Sequence, residues 1–267
     1  MHRLSSPTET RDATVRPRLS AVGIIPARLR STRLPEKPLQ DLGGKPLVVR
    51  VWEQARAASS LRDLWVATDS ERIAAVVREA GGQALMTRAD HPAGLDRVAE
   101  AAQLLSDAPE SDPRAIFVNL QGDEPFVEPG AVDHLVALFE RPEVRMATLA
   151  APFPDGDVQD LSRVKVVLDR EGRALYFSRA PIPAGHGGET PALLHLGIYA
   201  YRRDTLLQLA RLPVAPLERA ERLEQLRALW HGIPIHVAVG DWHAFGIDTP
   251  EDLARARTRF REGRGIS

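Results

Sequence analysis

The sequence of 267 residues contains no cysteine, which excludes disulfide bonds, a thiol nucleophile and thiolate metal ligands. Any metal would therefore be held by oxygen or imidazole groups. An excess of charge of one sign is also lacking, because 35 lysines and arginines balance 36 acidic residues to a formal net charge of −1. Without a global field of either sign, binding to nucleic acid is not expected.

Long hydrophobic runs are absent from the sequence as well. No apolar stretch approaches the roughly 20 residues that span a bilayer, and residues 1–20 contain no hydrophobic segment of the signal-peptide type. These absences predict a cytoplasmic protein without stable membrane insertion. Residues 1–19 are expected to form a disordered tail, and residues 20–263 a single α/β domain.

Short apolar runs alternate with amphipathic stretches of about 10 to 15 residues from Ala21 onward, which is typical of βαβ units and a mainly parallel sheet. Periodicity predicts helices over 47–58 and 70–80. Thr249 followed by Pro250 predicts the start of a last helix that ends near Glu262. The predicted strands cover residues 21–26, 64–68, 83–86, 115–120, 145–152, 164–168, 195–201 and 235–238.

A basic loop, PARLRSTRLPEK, follows the first predicted strand. Ligands of open parallel sheets bind at the carboxyl ends of the strands, and guanidinium and ammonium groups there suit a triphosphate. Arg28 and Lys37 are the candidates, with a solvated basic loop as the alternative. The loop has neither the P-loop pattern nor the dinucleotide-binding fingerprint, which weakens a kinase or a dehydrogenase interpretation.

Two aspartates are candidate metal ligands. Asp123 lies in QGDEP, directly after the fourth predicted strand, where a carboxylate has little structural reason to exist. Magnesium prefers one or two carboxylates together with phosphate oxygens. Asp248, in GIDTP, is the second candidate, although a capping or turn role explains it equally well.

Three segments of the second half carry further candidates. Arg179 lies in YFSRAPIP, before a Gly-rich and Pro-containing loop over 184–192 that we expect to be mobile. His195 and Tyr199 are four residues apart on a predicted strand and therefore share a face, although a lone histidine more often belongs to the core. Residues 218–227 are strongly charged and predicted to be helical, and a solvated helix face is the first interpretation.

The segments IIPARLRSTRLPEKPL, NLQGDEP, ALYFSRAPIP, HLGIYAYRR and LEQLRALWHG together resemble the 3-deoxy-manno-octulosonate (Kdo) cytidylyltransferases, also called CMP-Kdo synthetases, and the similarity extends over residues 21–258. The resemblance implies a Rossmann-like α/β nucleotidyltransferase fold with a mainly parallel mixed sheet flanked by helices. It implies a homodimer that converts CTP and Kdo into CMP-Kdo and pyrophosphate for lipopolysaccharide biosynthesis, with Mg²⁺ as cofactor. A sugar-binding and dimerisation portion would lie around 153–235.

Matched position by position, the resemblance also implies roles for individual residues. The residues that would carry catalysis are Arg28, Lys37, Asp123 and Asp248, of which the two aspartates would bind Mg²⁺. The residues that would bind the nucleotide are Pro26, Ala27, Arg28, Lys37, Asp69, Arg97 and Asp123. The residues that would surround the sugar are Gln121, Arg179, His195, Tyr199, Glu224 and Gln225. The implied mechanism is in-line attack of the sugar hydroxyl on the α-phosphorus, without a covalent enzyme intermediate.

The sequence departs from the family pattern at Ala93-Gly94-Leu95, where members commonly carry Ser-Gly-Thr. Two hydroxyls are missing, so recognition of the nucleotide would depend more on backbone groups and on Arg97. Two alternatives stay open at this point. One is a cytidylyltransferase for a related acidic sugar, such as 8-amino-Kdo or sialic acid, and the other is a catalytically inactive nucleotide-binding relative.

Overall fold

The computed structural model describes residues 19–31, 33–105, 112–153, 158–184, 192–243 and 245–262. Almost all of the predicted tail and of the predicted mobile loop over 184–192 lies outside the described residues. The strands are β1 (Ala21–Ala27), β2 (Leu61–Thr68), β3 (Gln83–Met86), β4 (Ile116–Asn119), β5 (Met146–Pro152), β6 (Lys165–Leu168), β7 (Ala174–Ser178), β8 (Leu193–Arg202) and β9 (His236–Val239).

The helices flank this sheet. They are α1 (Leu47–Ala55), α2 (Glu71–Glu79), α3 (Gly94–Leu104), α4 (Pro129–Ala137), α5 (Arg203–Arg211), α6 (Pro216–Glu221), α7 (Leu226–Trp230) and α8 (Pro250–Arg261). The two helices predicted over 47–58 and 70–80 are α1 and α2. The predicted cap of the last helix is confirmed, because the Thr249 side chain accepts a hydrogen bond from the Asp252 backbone N–H at 3.1 Å.

All nine strands belong to one sheet, whose central order is β3-β2-β1-β4-β8-β5-β9, with β6 paired to β7 and β8. The strands β3, β2, β1 and β4 are parallel neighbours. β8 runs antiparallel to β4, β5 and β6, and β9 is parallel to β5. The mixed α/β fold is therefore confirmed. The prediction of a mainly parallel sheet is wrong, because antiparallel pairings of β8 and of β6 with β7 are as numerous among the described strands as parallel ones. Most of the parallel pairing lies in the first half of the chain.

Buried apolar side chains cover both faces of the sheet. One cluster joins the sheet to α1, α2, α4 and α8 through residues such as Val51, Ile73 and Leu135. The other joins it to α3, α5 and α7 through residues such as Val98 and Leu206. Burial on both faces explains why these strands read as short apolar runs rather than as alternating patterns.

Two local predictions were wrong. The charged run 218–227 is not one helix, because Arg222 adopts the left-handed conformation at φ 56° and ψ 47° and ends α6. Neither is it a solvated face, since Glu218 and Arg227 are buried.

Strand β7 was not predicted, although it holds part of YFSRAPIP and precedes Arg179.

Within the described ranges, every helix is too short or too polar to cross a membrane.

Candidate active site

A cavity of about 1110 Å³ lies over the ends of β1 and β4 and over the middle of β8. It is the place where the topology gathers most of the polar residues singled out in the sequence. The predicted site residues that line it are Pro26, Gln121, Arg179, His195, Tyr199, Glu224, Gln225 and Asp248. Lys37 adjoins this set through its contact with Asp248, and Asp123 adjoins it through its contact with Lys37.

The two candidate metal ligands share one ammonium group. Lys37 Nζ donates a hydrogen bond to Asp123 Oδ2 at 2.6 Å and another to Asp248 Oδ1 at 2.9 Å. Burial alone would lower the pKa of Lys37, but the charges and hydrogen bonds of the two carboxylates outweigh it, so the pKa lies above its usual value. The lysine is therefore an ammonium at neutral pH and holds the carboxylates close together.

Arg33 is a site residue that the sequence did not single out. Its Nη2 lies 3.0 Å from Asp248 Oδ1, and the guanidinium is largely exposed. Its position in the basic loop, four residues before Lys37, is the signal that could have identified it, because both cations come from the same connection after β1.

The loops that carry Asp123 and Asp248 are fastened to each other. The backbone N–H of Ile247 donates to the Asp123 carbonyl at 2.9 Å, and the rings of Phe126 and Phe245 meet edge to face with centroids 5.7 Å apart. These contacts join residues far apart in sequence, so the approach of the two carboxylates is set by the backbone as well as by Lys37.

Asp252 fixes the backbone around Asp248. Its carboxylate accepts hydrogen bonds from the N–H groups of Asp248 at 3.1 Å and of Thr249 at 2.9 Å. Burial would raise the pKa of Asp252, but Arg255 and the backbone donors outweigh it and lower the pKa to about 2. The Asp248 loop is thus tied to the first turn of α8.

Glu124 is a carboxyl group that the sequence did not single out, although it directly follows Asp123 in the QGDEP motif. Burial, followed by the charge of Asp123, raises the pKa of Glu124 to about 8. Glu124 is therefore mostly protonated at neutral pH while Asp123 is paired with Lys37.

The arrangement of Asp123 and Asp248 suits a divalent cation that prefers oxygen. Both carboxylates lie within hydrogen-bonding distance of one ammonium, so a small cation at that point would meet both. No group of three or more His, Asp or Glu side chains that could hold a metal is found in the part of the chain that the structure describes. The remaining ligands would therefore be phosphate oxygens or water, as is common for Mg²⁺.

A bulge in β8 organises the other half of the cavity. Thr148 of β5 pairs with Tyr199, whereas the next residue, Leu149, pairs with Leu196, so two additional residues of β8 are inserted. On a regular strand, His195 and Tyr199 would be about 13 Å apart, but here their ring centroids are 5.4 Å apart. The predicted shared face is confirmed, and the bulge turns it into a direct contact.

Burial controls the ionisation of these side chains. It lowers the pKa of His195 to about 3 and raises the pKa of Tyr199 well above its ordinary value, so both are neutral. Tyr201 and Asn119 line the cavity beside them and were not anticipated. The Asn119 Oδ1 atom is buried and has no hydrogen-bond partner among the described residues.

Arg179 is held at the cavity wall by main-chain oxygens. Its Nε donates to the Glu221 carbonyl and its Nη1 to the Leu161 carbonyl, both at 3.1 Å. Its own backbone N–H donates to the Glu221 carboxylate at 3.0 Å. These bonds fix the guanidinium group through two of its nitrogens. Its positive charge has no contacting carboxylate among the described residues, so it can bind an anionic ligand.

Glu224 and Gln225 line the cavity between α6 and α7, in the segment first interpreted as a solvated face. Burial raises the pKa of Glu224, and this is partly offset by the Leu95 backbone N–H and by Arg227. Gln225 is buried, and its Nε2 has no hydrogen-bond partner in the described ranges. An unpaired buried amide beside a cavity is costly unless a ligand or water satisfies it.

Besides Lys37 and Asp123, four further residues predicted to bind the nucleotide or to act in catalysis do not line the cavity. Arg97 is buried and donates to Thr87 Oγ1 at 2.6 Å and to Asp69 Oδ2 at 3.1 Å. Asp69 also accepts a hydrogen bond from the Leu29 backbone N–H at 3.3 Å. The two side chains therefore anchor the basic loop to α3, while Ala27 is buried and Arg28 points to solvent.

The fold and the cavity define a nucleotidyltransferase architecture, and a sequence model described as cytidylyltransferase matches residues 22–235. The chain belongs to the cytidylyltransferase family. Its relatives include proteins named 3-deoxy-manno-octulosonate cytidylyltransferase from three organisms. The protein from Anaeromyxobacter sp. (strain K) is 50% identical over 90% of this chain and 97% of its own length. The protein from Syntrophobacter fumaroxidans is 53% identical over 87% and 93%, and that from Herminiimonas arsenicoxydans is 48% identical over 91% and 100%.

Solved structures agree with these relatives. A structure described as CMP:2-keto-3-deoxy-manno-octonic acid synthetase complexed with CTP has a TM-score of 0.84 and 41% sequence identity, covering 91% of this chain and 99% of its own. A cytidylyltransferase from Leptospira borgpetersenii has a TM-score of 0.60 at 16% identity, covering 91% of this chain and 87% of its own, and shares the fold. The resemblance to Kdo cytidylyltransferases that the sequence motifs indicate is thereby confirmed.

Proposed function

We propose that this protein transfers CMP from CTP to Kdo and releases pyrophosphate. The observation that carries the proposal is the division of the site into two parts with different chemistry. One part gathers Lys37, Arg33 and two acidic groups at the end of the parallel strands. The other places Arg179 and several neutral hydrogen-bonding groups around a buried face of β8. A triphosphate suits the first part, and an acidic polyhydroxylated sugar suits the second.

Asp123 and Asp248 would hold Mg²⁺ in this proposal. The cation would supply charge neutralisation for the phosphates and a lower pKa for an oxygen that it contacts. Lys37 bridges the two carboxylates, and the incoming phosphate oxygens would give its ammonium new partners. Lys37 would then follow the triphosphate and stabilise the charge that develops on the departing pyrophosphate.

Arg28 and Arg33 would complete the cationic surface for the phosphates. Both guanidinium groups are exposed, and both belong to the connection after β1, so they can reorient toward a ligand at little cost. Bidentate guanidinium contacts suit phosphate oxygens. The in-line reaction then needs correct positioning and neutralisation of charge, and no group of the protein has to form a covalent bond.

The sugar would be oriented by groups that differ in charge. Arg179 would pair with the carboxylate of the sugar, since main-chain oxygens fix its guanidinium group in place. Gln121, Tyr199, Glu224 and Gln225 would bind hydroxyl groups. The unpaired Nε2 of Gln225 supports this arrangement, because a sugar oxygen would supply the missing acceptor.

Recognition of cytidine would rest on the backbone at the start of α3. Gly94 and Leu95 line the cavity there, and Ala93 and Leu95 have no hydroxyl group. Asp69 and Arg97 would support this region by anchoring it to the basic loop.

The proposal places the reaction in the cytoplasm, where nucleoside triphosphates are synthesised. It also includes a homodimer whose contacts involve the portion around 153–235.

A substrate panel tests the proposal. Purified protein with Mg²⁺ receives each of the four nucleoside triphosphates with Kdo, with 8-amino-Kdo and with sialic acid, and the release of pyrophosphate is measured. Release with CTP and Kdo at the highest kcat/KM is the expected result. Preference for another sugar would change the substrate assignment, and no release with any pair from a folded protein would indicate an inactive nucleotide-binding relative.

A further inference from the structure

Thr148 is a buried residue of β5 whose hydroxyl group lies beneath the bulge in β8. Its Oγ1 is 2.8 Å from the Ile198 carbonyl oxygen, 3.2 Å from the Leu196 carbonyl oxygen and 3.0 Å from His195 Nε2. Nothing in the sequence indicates this residue as part of the site. The bulge creates the arrangement, because it turns two carbonyl groups of β8 toward the same hydroxyl.

The number of protons in this cluster decides the direction of each hydrogen bond. A threonine hydroxyl has one proton to donate, whereas carbonyl oxygens can only accept. The 2.8 Å separation from the Ile198 oxygen is the usual length for a hydroxyl that donates to an oxygen. With its proton directed at a carbonyl group, Thr148 can only accept from His195, so His195 Nε2 must carry hydrogen.

The surroundings of His195 favour a neutral ring. Phe177 meets the imidazole edge to face with centroids 4.9 Å apart, and Tyr199 lies against it at 5.4 Å. Burial among these groups lowers the pKa of His195 to about 3. A neutral imidazole with hydrogen on Nε2 has a bare Nδ1, and this atom can only accept a hydrogen bond.

We propose that Thr148 is a positioning residue that locks His195 as the neutral Nε2–H tautomer, so that Nδ1 accepts a hydrogen bond from a hydroxyl group of the sugar. This inference rests on the proposed function for the identity of the ligand. It divides the recognition of an acidic sugar between two kinds of group. Arg179 binds the carboxylate of the sugar. The neutral His195 accepts a hydrogen bond from a hydroxyl group of the sugar and does not attract the carboxylate.

The state of the ring can be measured on the full chain without substrate. Protein labelled with ¹⁵N-histidine is examined at pH 7 by long-range ¹H–¹⁵N correlation, and the His195 signals are identified by their loss in His195→Gln. The expected pattern has a protonated Nε2 and an unprotonated Nδ1. A protonated Nδ1, or an imidazolium, would overturn the proposal whether or not any variant of Thr148 folds.

Two variants then test the role of Thr148. Thr148→Val keeps the shape but removes the hydroxyl, whereas Thr148→Ser is the matched control that retains it. We expect Thr148→Val to lose the single tautomer and to raise the KM for Kdo by about tenfold with a much smaller change in kcat. Thr148→Ser should keep the tautomer and remain within about twofold of the parent KM.

The two measurements separate this inference from the proposed function. If the protein uses another sugar, the tautomer spectrum still tests Thr148, and the KM is measured for that sugar instead. An unchanged tautomer together with an unchanged KM in folded Thr148→Val would refute the positioning role while leaving the proposed reaction intact.

Discussion

At the scale of single residues, Lys37 explains how two aspartates can lie close together before any ligand arrives. Its ammonium contacts Asp123 at 2.6 Å and Asp248 at 2.9 Å. Two carboxylates without such a partner would repel each other. The chemistry of the site is therefore concentrated in a small number of charges, and changes to one of them should have large effects on turnover with small effects on folding.

Asp123→Asn removes one of these charges while keeping the size of the side chain. Because the carboxylate would hold Mg²⁺ and is one of two partners of Lys37, we expect turnover to fall by at least about 10²-fold. Binding of Mn²⁺ in the presence of CTP, followed by electron paramagnetic resonance, should weaken in parallel. Asp63→Asn, an exposed aspartate of β2, is the matched control and should leave both unchanged. Undiminished turnover of Asp123→Asn at saturating Mg²⁺ would refute the metal assignment.

Glu124 should give a distinctive dependence of stability on pH. Its folded pKa of about 8 lies above the ordinary value of 4.5, so the folded state holds a proton that the unfolded state releases. Its contribution to stability is full below about pH 4.5 and is lost as the pH rises through 8. Glu124→Gln, which cannot ionise, should therefore become more stable than the parent as the pH rises. Urea unfolding of the metal-free parent and variant at pH 5 and pH 9 measures this difference in stability. A difference that is the same at both pH values would contradict the prediction.

At the scale of elements, the start of α8 links the stability of a helix to the position of Asp248. Asp252 accepts hydrogen bonds from the backbone N–H groups of Asp248 and Thr249, and its pKa of about 2 shows that the carboxylate is favoured in the fold. The cap of α8 and the loop that carries Asp248 therefore depend on the same carboxylate.

Asp252→Asn removes the negative charge that the fold favours and should cost about 1–2 kcal/mol of unfolding free energy at pH 7. Since the folded pKa lies below the usual value of 3.8, the contribution is present above about pH 4 and is lost as the pH falls toward 2. Unfolding of the parent and the variant should therefore differ at pH 7 and converge near pH 2. A difference that persists unchanged in acid would contradict this account.

The turn between α6 and α7 depends on a buried ion pair. Arg227 donates to the Glu218 carboxylate at 2.6 and 2.9 Å, and both side chains are largely excluded from solvent. Arg227→Met leaves Glu218 buried without its partner, so we expect a loss of about 3–5 kcal/mol. The exposed pair of Arg141 and Glu143 provides the control, because Arg141→Met should cost less than about 1 kcal/mol. Similar unfolding midpoints for the two variants would show that the buried pair stabilises the fold no more than the exposed pair does.

The elements also show where sequence reasoning succeeds and where it ends. Helices α1 and α2 and the cap at Thr249 follow from local periodicity and side-chain chemistry, which are visible in the sequence. The bulge in β8 is not, because it arises from pairing with β5, and Thr148 gains its partners only through that pairing. The charged segment 218–227 was misinterpreted because its spacing is helical, whereas burial of Glu218 with Arg227 is a tertiary effect.

At the scale of the whole molecule, the order of the strands explains why distant motifs form one site. The ends of β1 and β4 are neighbours, and β8 lies beside β4, so the basic loop, QGDEP and HLGIY meet over one region of the sheet. Alternating apolar and amphipathic segments predicted an α/β sheet, but the antiparallel insertion of β8 could not be predicted because strands buried on both faces look alike in sequence.

The central claim is that CTP and Kdo are joined in this cavity. The most direct test follows the phosphorus atoms by ³¹P nuclear magnetic resonance while purified protein, Mg²⁺, CTP and Kdo react. We predict that one phosphodiester signal of a sugar-linked CMP grows as CTP disappears, together with a pyrophosphate signal of twice its area, because pyrophosphate carries two equivalent phosphorus atoms. Free CMP in place of the sugar-linked product, or CTP that remains unchanged in the presence of folded protein, would contradict the account.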